Sequence, residues 1–270
     1  MNSSDKRALV SVIIPAYKDA VRLARTLLRL REIREREYPE LEVIVSVKQS
    51  SEDDTEAVAR RCADTVVVGN GGVSRQRNAG AAAARGTVLV FLDADAVPSF
   101  GTIPAIAAAA AQGTIGTCTA FPNRKTVKAR LAIWSQNFVR GLHLFKGVSN
   151  LLYCHRSIFF ERGIRYDPEL NVGEHFDFYR RAVREGGARF RYLRIPRGFE
   201  VDVDRYERAG YIRTFVFWII FTVYRLSVGS SAELEKLYWE RDGKVALPDL
   251  IRLFKEGRRA LRIRALSDKL

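Results

Sequence analysis

The stretch Val88-Leu89-Val90-Phe91-Leu92-Asp93-Ala94-Asp95-Ala96 decides how this chain is read. Its five leading apolar residues stand between Gly86 and Pro98. A continuous apolar run of that length predicts a strand buried on both faces of a parallel sheet, and its C-terminal end delivers two carboxylates one residue apart. Side chains two positions apart on a strand point to the same side. Asp93 and Asp95 are therefore expected to converge on one hard divalent cation, provided that the backbone stays extended there. A polar strand end followed by a loop would read the same way, so the neighbours must decide.

Three strand-helix units precede this stretch. Leu9-Val10-Ser11-Val12-Ile13-Ile14-Pro15 is a run rich in β-branched residues closed by a proline, which suits a first, central strand. From Ala16 to Glu37, Val21, Leu23, Leu27, Leu28, Leu30 and Ile33 recur at helical spacing. Leu41 to Val47 predicts a second strand. The hydroxyls and acids from Ser50 to Thr55 suit the start of a second helix through Cys62, and Asp64 to Val68 reads as a third strand. After the Gly69-Asn70-Gly71-Gly72 turn, an alanine-rich helix runs from Val73 to Arg85. This alternation predicts an α/β fold with a mostly parallel central sheet flanked by helices and a ligand at the strands' carboxyl ends. Pro15 to Asp19, Lys48 to Asp53, the Gly69 turn and Asp93 to Asp95 all fall at those ends.

On the other side of the stretch, helices are expected at Ile103 to Gln112, Val127 to Phe145, from Ile158 to Arg162 and from Gly173 to Glu185. Strands are expected at Ile115 to Phe121, Ser149 to His155 and Arg189 to Ile195, with a loop from Tyr166 to Val172. From Tyr211 the composition shifts. Thr214 to Tyr224 is aromatic-rich and bounded by Arg213 and Arg225, and Leu250 to Leu266 interleaves apolar residues with Arg and Lys. Two basic amphipathic segments predict contact with a membrane surface; the alternative is packing on the main domain with a solvated tail. Eleven residues rise about 16 Å as a helix against roughly 30 Å of bilayer hydrocarbon, too little to cross alone. The expected organisation is a domain over residues 1–205, divided at about residue 100, and a C-terminal helical region over 206–270.

The chain has 270 residues, with 45 Lys and Arg against 31 Asp and Glu, a formal charge of +14. Such a balance favours an anionic partner: nucleic acid, a phosphorylated substrate or an acidic membrane. The basic residues are dispersed and no motif of the common nucleic-acid modules appears, so nucleic acid is not the expected partner. Cys62, Cys118 and Cys154 are widely separated without zinc-site spacing and are expected to be reduced core residues of a cytosolic protein. Met1 to Arg7 is polar and Leu9 to Ile14 is too short for the apolar core of a signal peptide, so export by that route is not expected.

Taken in order, Val12-Ile13-Ile14-Pro15-Ala16-Tyr17, Glu42-Val43-Ile44-Val45, Arg77-Asn78-Ala79-Gly80, Ala84-Arg85-Gly86 and Phe91-Leu92-Asp93-Ala94-Asp95 resemble the donor-binding half of glycosyltransferase family 2, the GT-A fold. Gly173-Glu174-His175-Phe176-Asp177, followed by Arg180 and Arg181, resembles the acceptor helix of that family and extends the likeness to about residue 200. The resemblance implies a nucleotide-diphosphate sugar donor, inversion at the anomeric carbon and Mg²⁺ or Mn²⁺ held by Asp95 or Asp93. It implies that Pro15, Ala16, Tyr17 and Asp19 surround the nucleoside, with Tyr17 flanking the base. Arg77 and Asn78 then lie near the nucleotide and diphosphate, and Ala94 lies in the donor site between the two acids. Helix capping and surface charge are the alternative for Arg77 and Asn78.

Two departures from the family pattern stand out. The family commonly ends its second strand with an Asp that contacts the base, whereas Val47-Lys48-Gln49-Ser50 stands here. Lys48, Gln49 or Asp53 is the substitute contact, or Asp53 is a solvated helix cap. The family's acceptor helix usually carries Glu-Asp with the Asp as general base, whereas this chain has Glu174-His175. His175 is the first candidate base, its basicity raised by the adjacent carboxylate; Asp177 and Glu174 follow. No base is needed if the acceptor is a phosphate monoester. His143 and His155 lack this company and are expected in core or surface roles.

The resulting expectation is a hexosyltransferase of glycan biosynthesis, peripheral or monotopic at the cytoplasmic face of a membrane. It would take a UDP-hexose or GDP-mannose and deliver the sugar to a lipid-linked or glycan acceptor. A nucleotidyltransferase of similar architecture and a non-enzymatic, basic nucleic-acid-binding protein are the alternatives. The first lacks its usual glycine-rich signature after the first strand.

Overall fold

A computed structural model describes residues 7–49, 52–141 and 149–214, with residues 252 and 255. The first elements are β1 (Val10–Ala16), α1 (Ala20–Arg36), β2 (Leu41–Lys48), α2 (Thr55–Cys62), β3 (Thr65–Gly69), α3 (Val73–Ala83) and β4 (Val88–Leu92). There follow β5 (Ala96–Pro98), α4 (Thr102–Ala110), β6 (Thr114–Cys118), β7 (Ala120–Pro122), α5 (Val127–Gly141) and β8 (Leu151–His155). The last are α6 (Arg156–Phe160), α7 (Glu174–Arg184), β9 (Arg189–Leu193), β10 (Phe199–Val201) and α8 (Asp204–Ala209).

A seven-stranded sheet runs in the order β3-β2-β1-β4-β8-β6-β9. Its first four strands are parallel, and β8 alone is reversed, antiparallel to both β4 and β6. Every residue of β1 and β4 is buried, as continuous apolar runs require when both faces of a sheet are covered. One face packs Ile13, Ile44, Leu89 and Phe91 against residues of α3, α6 and α7, with Phe159 and Phe178 in contact with Phe91.

The three-stranded sheet β5-β10-β7 is not foreseen from the sequence. The segment from Ile115 to Phe121, expected as one strand, divides between the two sheets at Thr119. Val21 and Leu28 of α1 have helical spacing but are exposed, while Leu23, Leu27, Leu30 and Ile33 form its buried face. Cys62 is exposed, unlike Cys118 and Cys154, because it ends α2 on its outer side; the expectation of a core residue is corrected there.

Two contacts explain polar or small residues in otherwise apolar company. Glu42 lies buried in β2 and accepts hydrogen bonds from Ser11 Oγ at 2.6 Å, Arg85 N at 3.0 Å and Arg85 Nε at 2.6 Å. Burial pushes its carboxyl up, but these bonds outweigh it and leave the pKa below the ordinary 4.5. Ser11 Oγ in turn accepts from Gly86 N at 2.8 Å, so the start of β4 is tied to β1 and β2. Gly80 lets α3 lie close on the sheet: a Cβ there would stand 2.6 Å from Ile13 Cγ2.

The chain divides into two compact units, Met1–Asn123 with Ile133–Asp202, and Arg124–Ala132 with Val203–Leu270. The sheets belong to the first. In the second, Arg124 pairs with Asp204 at 2.7 Å, beside the start of α8. The amphipathic segments expected at Thr214 to Tyr224 and Leu250 to Leu266 lie outside the described residues, apart from Thr214, Arg252 and Lys255; so do His143 and the end of the expected helix at Phe145. Among the described residues no helix is long and apolar enough to cross a membrane.

Candidate functional site

β1, β2 and β4 run parallel and end at one edge of the sheet, at Ala16, Lys48 and Leu92. There the chain leaves β4 and turns at once: Ala96 N donates to the Asp93 carbonyl at 3.0 Å. The backbone is therefore not extended through Asp93-Ala94-Asp95, and the same-face argument for two converging carboxylates does not hold. The turn is anchored from α1, where buried Thr26 donates its hydroxyl to the Ala94 carbonyl at 2.8 Å. Asp95 sits half-buried in the turn.

Asp93 points to other protein groups. One oxygen accepts from Arg77 and the other from Asn150 Nδ2 at 3.1 Å, while its own backbone N–H donates to the Asn150 carbonyl at 2.9 Å. Arg77, only 1% exposed, holds Asp93 with one nitrogen and Glu174 with another. Gly173, at φ 68°, makes the left-handed turn that starts α7 and delivers Glu174 to this contact. Burial opposes the guanidinium's charge, and Glu174 and Asp93 more than offset it, so Arg77 stays protonated. Asp93 is pushed above the ordinary carboxylate value, chiefly by burial, with Arg77 pulling it down and Glu174 pushing it up.

Tyr166 packs its ring against this ion-pair cluster, 5.5 Å from the Arg77 guanidinium and edge-on to Phe91 at 4.9 Å. Asn78 holds it there: its side-chain amide donates to the Tyr166 carbonyl at 2.8 Å and accepts from the Tyr166 N–H at 3.0 Å. Arg77 and Asn78 are thus neither surface charge nor caps. They join α3 to the segments before and within α7.

His175 is 3% exposed, with Nδ1 2.8 Å from the Tyr166 hydroxyl and Nε2 without a hydrogen-bond partner among the described residues. Burial and then the Arg77 charge push its imidazole well below the ordinary 6.5. The expectation that Glu174 would raise its basicity is corrected, because the Glu174 carboxylate is turned to Arg77. Asp177 lies one turn on and accepts from Arg181 Nε at 2.9 Å and from another of its nitrogens at 2.6 Å.

At the β1 and β2 ends, Pro15 and Ala16 are buried and Tyr17 is exposed, with Lys48 Nζ 4.5 Å from the centre of its ring and Lys18 Nζ at 5.6 Å. Lys18, in the left-handed region at φ 53°, pairs with Glu52 at 2.9 Å. Asp19 accepts from Arg22 at 3.1 Å. Asp53, one residue before the N-cap Asp54 of α2, accepts from Thr55 Oγ1 at 2.6 Å, Thr55 N at 3.2 Å and Ala20 N at 3.3 Å, and so joins the starts of α1 and α2. Gln49 is exposed and its N–H donates to the Gly69 carbonyl at 3.0 Å. Sequence reasoning missed Thr26, Asn150 and Tyr166, which lie in no recognised motif and act largely through backbone groups.

Residues 11–183 match the family described as Glycosyl transferase family 2. The chain belongs to glycosyltransferase family 2. It is an enzyme of that family, whose members transfer sugars from nucleotide-sugar donors, and this sets aside the nucleotidyltransferase and nucleic-acid-binding alternatives. A comparison with curated proteins finds no match. Among solved structures, the chain is similar to the mannosyltransferase PcManGT from Pyrobaculum calidifontis in complex with GDP-Man and Mn²⁺, at 19% identity, covering 96% of this chain and 76% of that one with a TM-score of 0.60. It is similar to S. aureus TarS 1-349 in complex with UDP-GlcNAc, at 17% identity, covering 91% and 81% with a TM-score of 0.57. Against the longer TarS chain it spans 39% of that chain's length. These likenesses show the GT-A fold.

For this family 2 glycosyltransferase the donor groups at the β4 end suit a cation shared with substrate. Among the described residues no group of three or more His, Cys, Asp or Glu gathers to hold a metal. Mg²⁺ and Mn²⁺ are commonly held by one or two carboxylates completed by substrate phosphates. Asp95, half-buried in the turn beyond the end of β4, is a carboxylate placed for that part. Both oxygens of Asp93 are already bonded, one to Arg77 and the other to Asn150.

Proposed function

We propose that the enzyme transfers a hexose from a nucleotide-diphosphate sugar to a lipid-linked acceptor, with Asp95 holding Mg²⁺ or Mn²⁺ together with the donor's diphosphate. The observation that carries this reading is the turn that follows β4, which sets Asp95 at the carboxyl edge of the parallel strands while Asp93 is drawn inward to buried Arg77. The bound cation supplies Lewis-acid neutralisation of the charge that develops on the departing diphosphate. Tyr17 stacks on the base, and Lys48 beside it donates to the base's acceptor atoms. Arg77 holds the Asp93 turn against the first turn of α7, so the donor and acceptor sides keep one geometry. In an inverting displacement the acceptor oxygen bonds to the anomeric carbon as the bond from that carbon to the diphosphate oxygen breaks.

Glu174 and Asp177 are engaged in ion pairs and His175 is a weak, buried base. This favours an acceptor that arrives already ionised, a phosphate monoester, from which no proton need be removed. The lipid part rests on the basic, aromatic-rich region at 206–270, which would bring the enzyme to the cytoplasmic face of a membrane. UDP-hexose and GDP-mannose are both retained as donors, in keeping with the GDP-Man and UDP-GlcNAc bound by PcManGT and TarS. A nucleotide-release screen of UDP- and GDP-hexoses with Mn²⁺, run with a polyprenyl phosphate and with free sugars as acceptors, tests it. Release that depends on the lipid phosphate supports the reading; release that depends only on a sugar acceptor contradicts it.

A further inference from the structure

The buried face of α1 consists of Leu23, Thr26, Leu27, Leu30 and Ile33, so a single hydroxyl stands among four aliphatic side chains, and Thr26 is completely buried. A β-branched residue is a mediocre helix former, and a hydroxyl taken out of water is costly without a partner. Valine, of the same shape, would serve packing alone. Helical Thr hydroxyls often turn back to the carbonyl one turn earlier in their own helix. This one instead donates to the Ala94 carbonyl at 2.8 Å, 68 residues along the chain.

The bond falls at one particular point of the turn after β4. The Asp93 end is fastened without it: the Asp93 N–H donates to the Asn150 carbonyl at 2.9 Å, and its carboxylate accepts from Asn150 and Arg77. The Ala96 end is fastened by β5, where Ala96 pairs with Val201 of β10. Between them lies the peptide unit made of the Ala94 carbonyl and the Asp95 nitrogen. A peptide unit is planar, so a hydrogen bond that fixes its carbonyl also fixes the direction in which Asp95 leaves it. Without the hydroxyl the Ala94 carbonyl loses this bond, and both ends of the turn keep theirs.

We infer that Thr26 is a positioning residue for the metal: through the Ala94–Asp95 peptide it aims the Asp95 carboxylate at the cation and the donor's diphosphate. The inference rests on the reading of Asp95 as the metal-holding carboxylate. Calorimetric titration of Mn²⁺ into the full chain, with UDP and separately with GDP present, tests it on the parent, Thr26→Val, Thr26→Ser and Asp95→Asn. Thr26→Val should weaken Mn²⁺ binding by about 10- to 100-fold, the usual cost of removing a group that orients a metal ligand. Thr26→Ser keeps the hydroxyl and should bind as the parent does, although it has lost the methyl group; a purely structural role would follow the methyl as well. Circular dichroism checks that each variant is folded. Should Thr26→Val not fold, Thr26→Ala against Thr26→Ser puts the same question, because those two differ only in the hydroxyl. Parent affinity in the variants that lack the hydroxyl, or an equal loss in Thr26→Ser, overturns the inference, while loss of binding in Asp95→Asn leaves the metal assignment standing. Parent affinity in Asp95→Asn, or a parent that binds no Mn²⁺ with either nucleotide, overturns the metal assignment and the inference with it.

Discussion

Arg77 and Glu174 stand 97 residues apart in the chain and meet in a buried ion pair, and the same guanidinium holds Asp93. The contact joins three elements, α3, the end of β4 and the first turn of α7. A buried cation shared by two carboxylates leaves both uncompensated when it is removed. Arg77→Leu should therefore lower stability by about 3–5 kcal/mol in urea unfolding. Arg77→Lys should fall between, since one ammonium keeps the charge but cannot reproduce the planar fork.

His175 gives stability a distinct pH dependence. Its folded pKa lies well below the 6.5 expected when unfolded, with Tyr166 and Arg77 as its neighbours. Above pH 6.5 both states are neutral and its contribution is flat. As pH falls below that value the unfolded chain takes a proton that the folded chain refuses, so stability declines by up to about 1.4 kcal/mol per pH unit until the folded pKa is reached. His175→Asn should remove that slope. Glu42, held below 4.5, adds its own loss only in more acid solution, and the difference between parent and variant isolates the imidazole.

Gly80 separates packing from electrostatics in the same helix. An added methyl group would meet Ile13 Cγ2 at 2.6 Å, a side-chain contact that must give way. Gly80→Ala should destabilise by about 1–3 kcal/mol, the range of overpacked cores, without altering the pH slope assigned to His175. Thermal melts at two pH values check both parts.

Tyr17 tests the nucleoside end. If its exposed ring stacks on the base, Tyr17→Ala should weaken nucleotide binding by about 1–3 kcal/mol and leave unfolding in urea unchanged. Calorimetric titration with UDP and GDP measures the loss. Equal affinity for parent and variant would remove Tyr17 from the site.

Much of this architecture is legible in the sequence because it is written in continuous runs. The apolar stretches of β1 and β4 and the helical spacing of α1 need no distant partner to be read. β5 and β10, at three residues each, carry too few positions to show a pattern. The site is legible in position but less so in roles. Asp93, Arg77 and Glu174 are all marked by motifs, yet their mutual contact depends on burial and on separations of 16 and 97 residues that no local pattern encodes. His175 illustrates the same limit: its neighbour in sequence is a carboxylate, while its neighbours in space are a tyrosine hydroxyl and a guanidinium.

We propose that Asp95, rather than Asp93, holds the metal on which donor binding depends. Calorimetric titration of UDP and GDP into the parent and Asp95→Asn, each with and without Mn²⁺, tests it most directly. The parent should bind one nucleotide in a Mn²⁺-dependent manner, and Asp95→Asn should lose that binding with an unchanged urea midpoint. Mn²⁺-dependent binding by Asp95→Asn at the parent's affinity would contradict it.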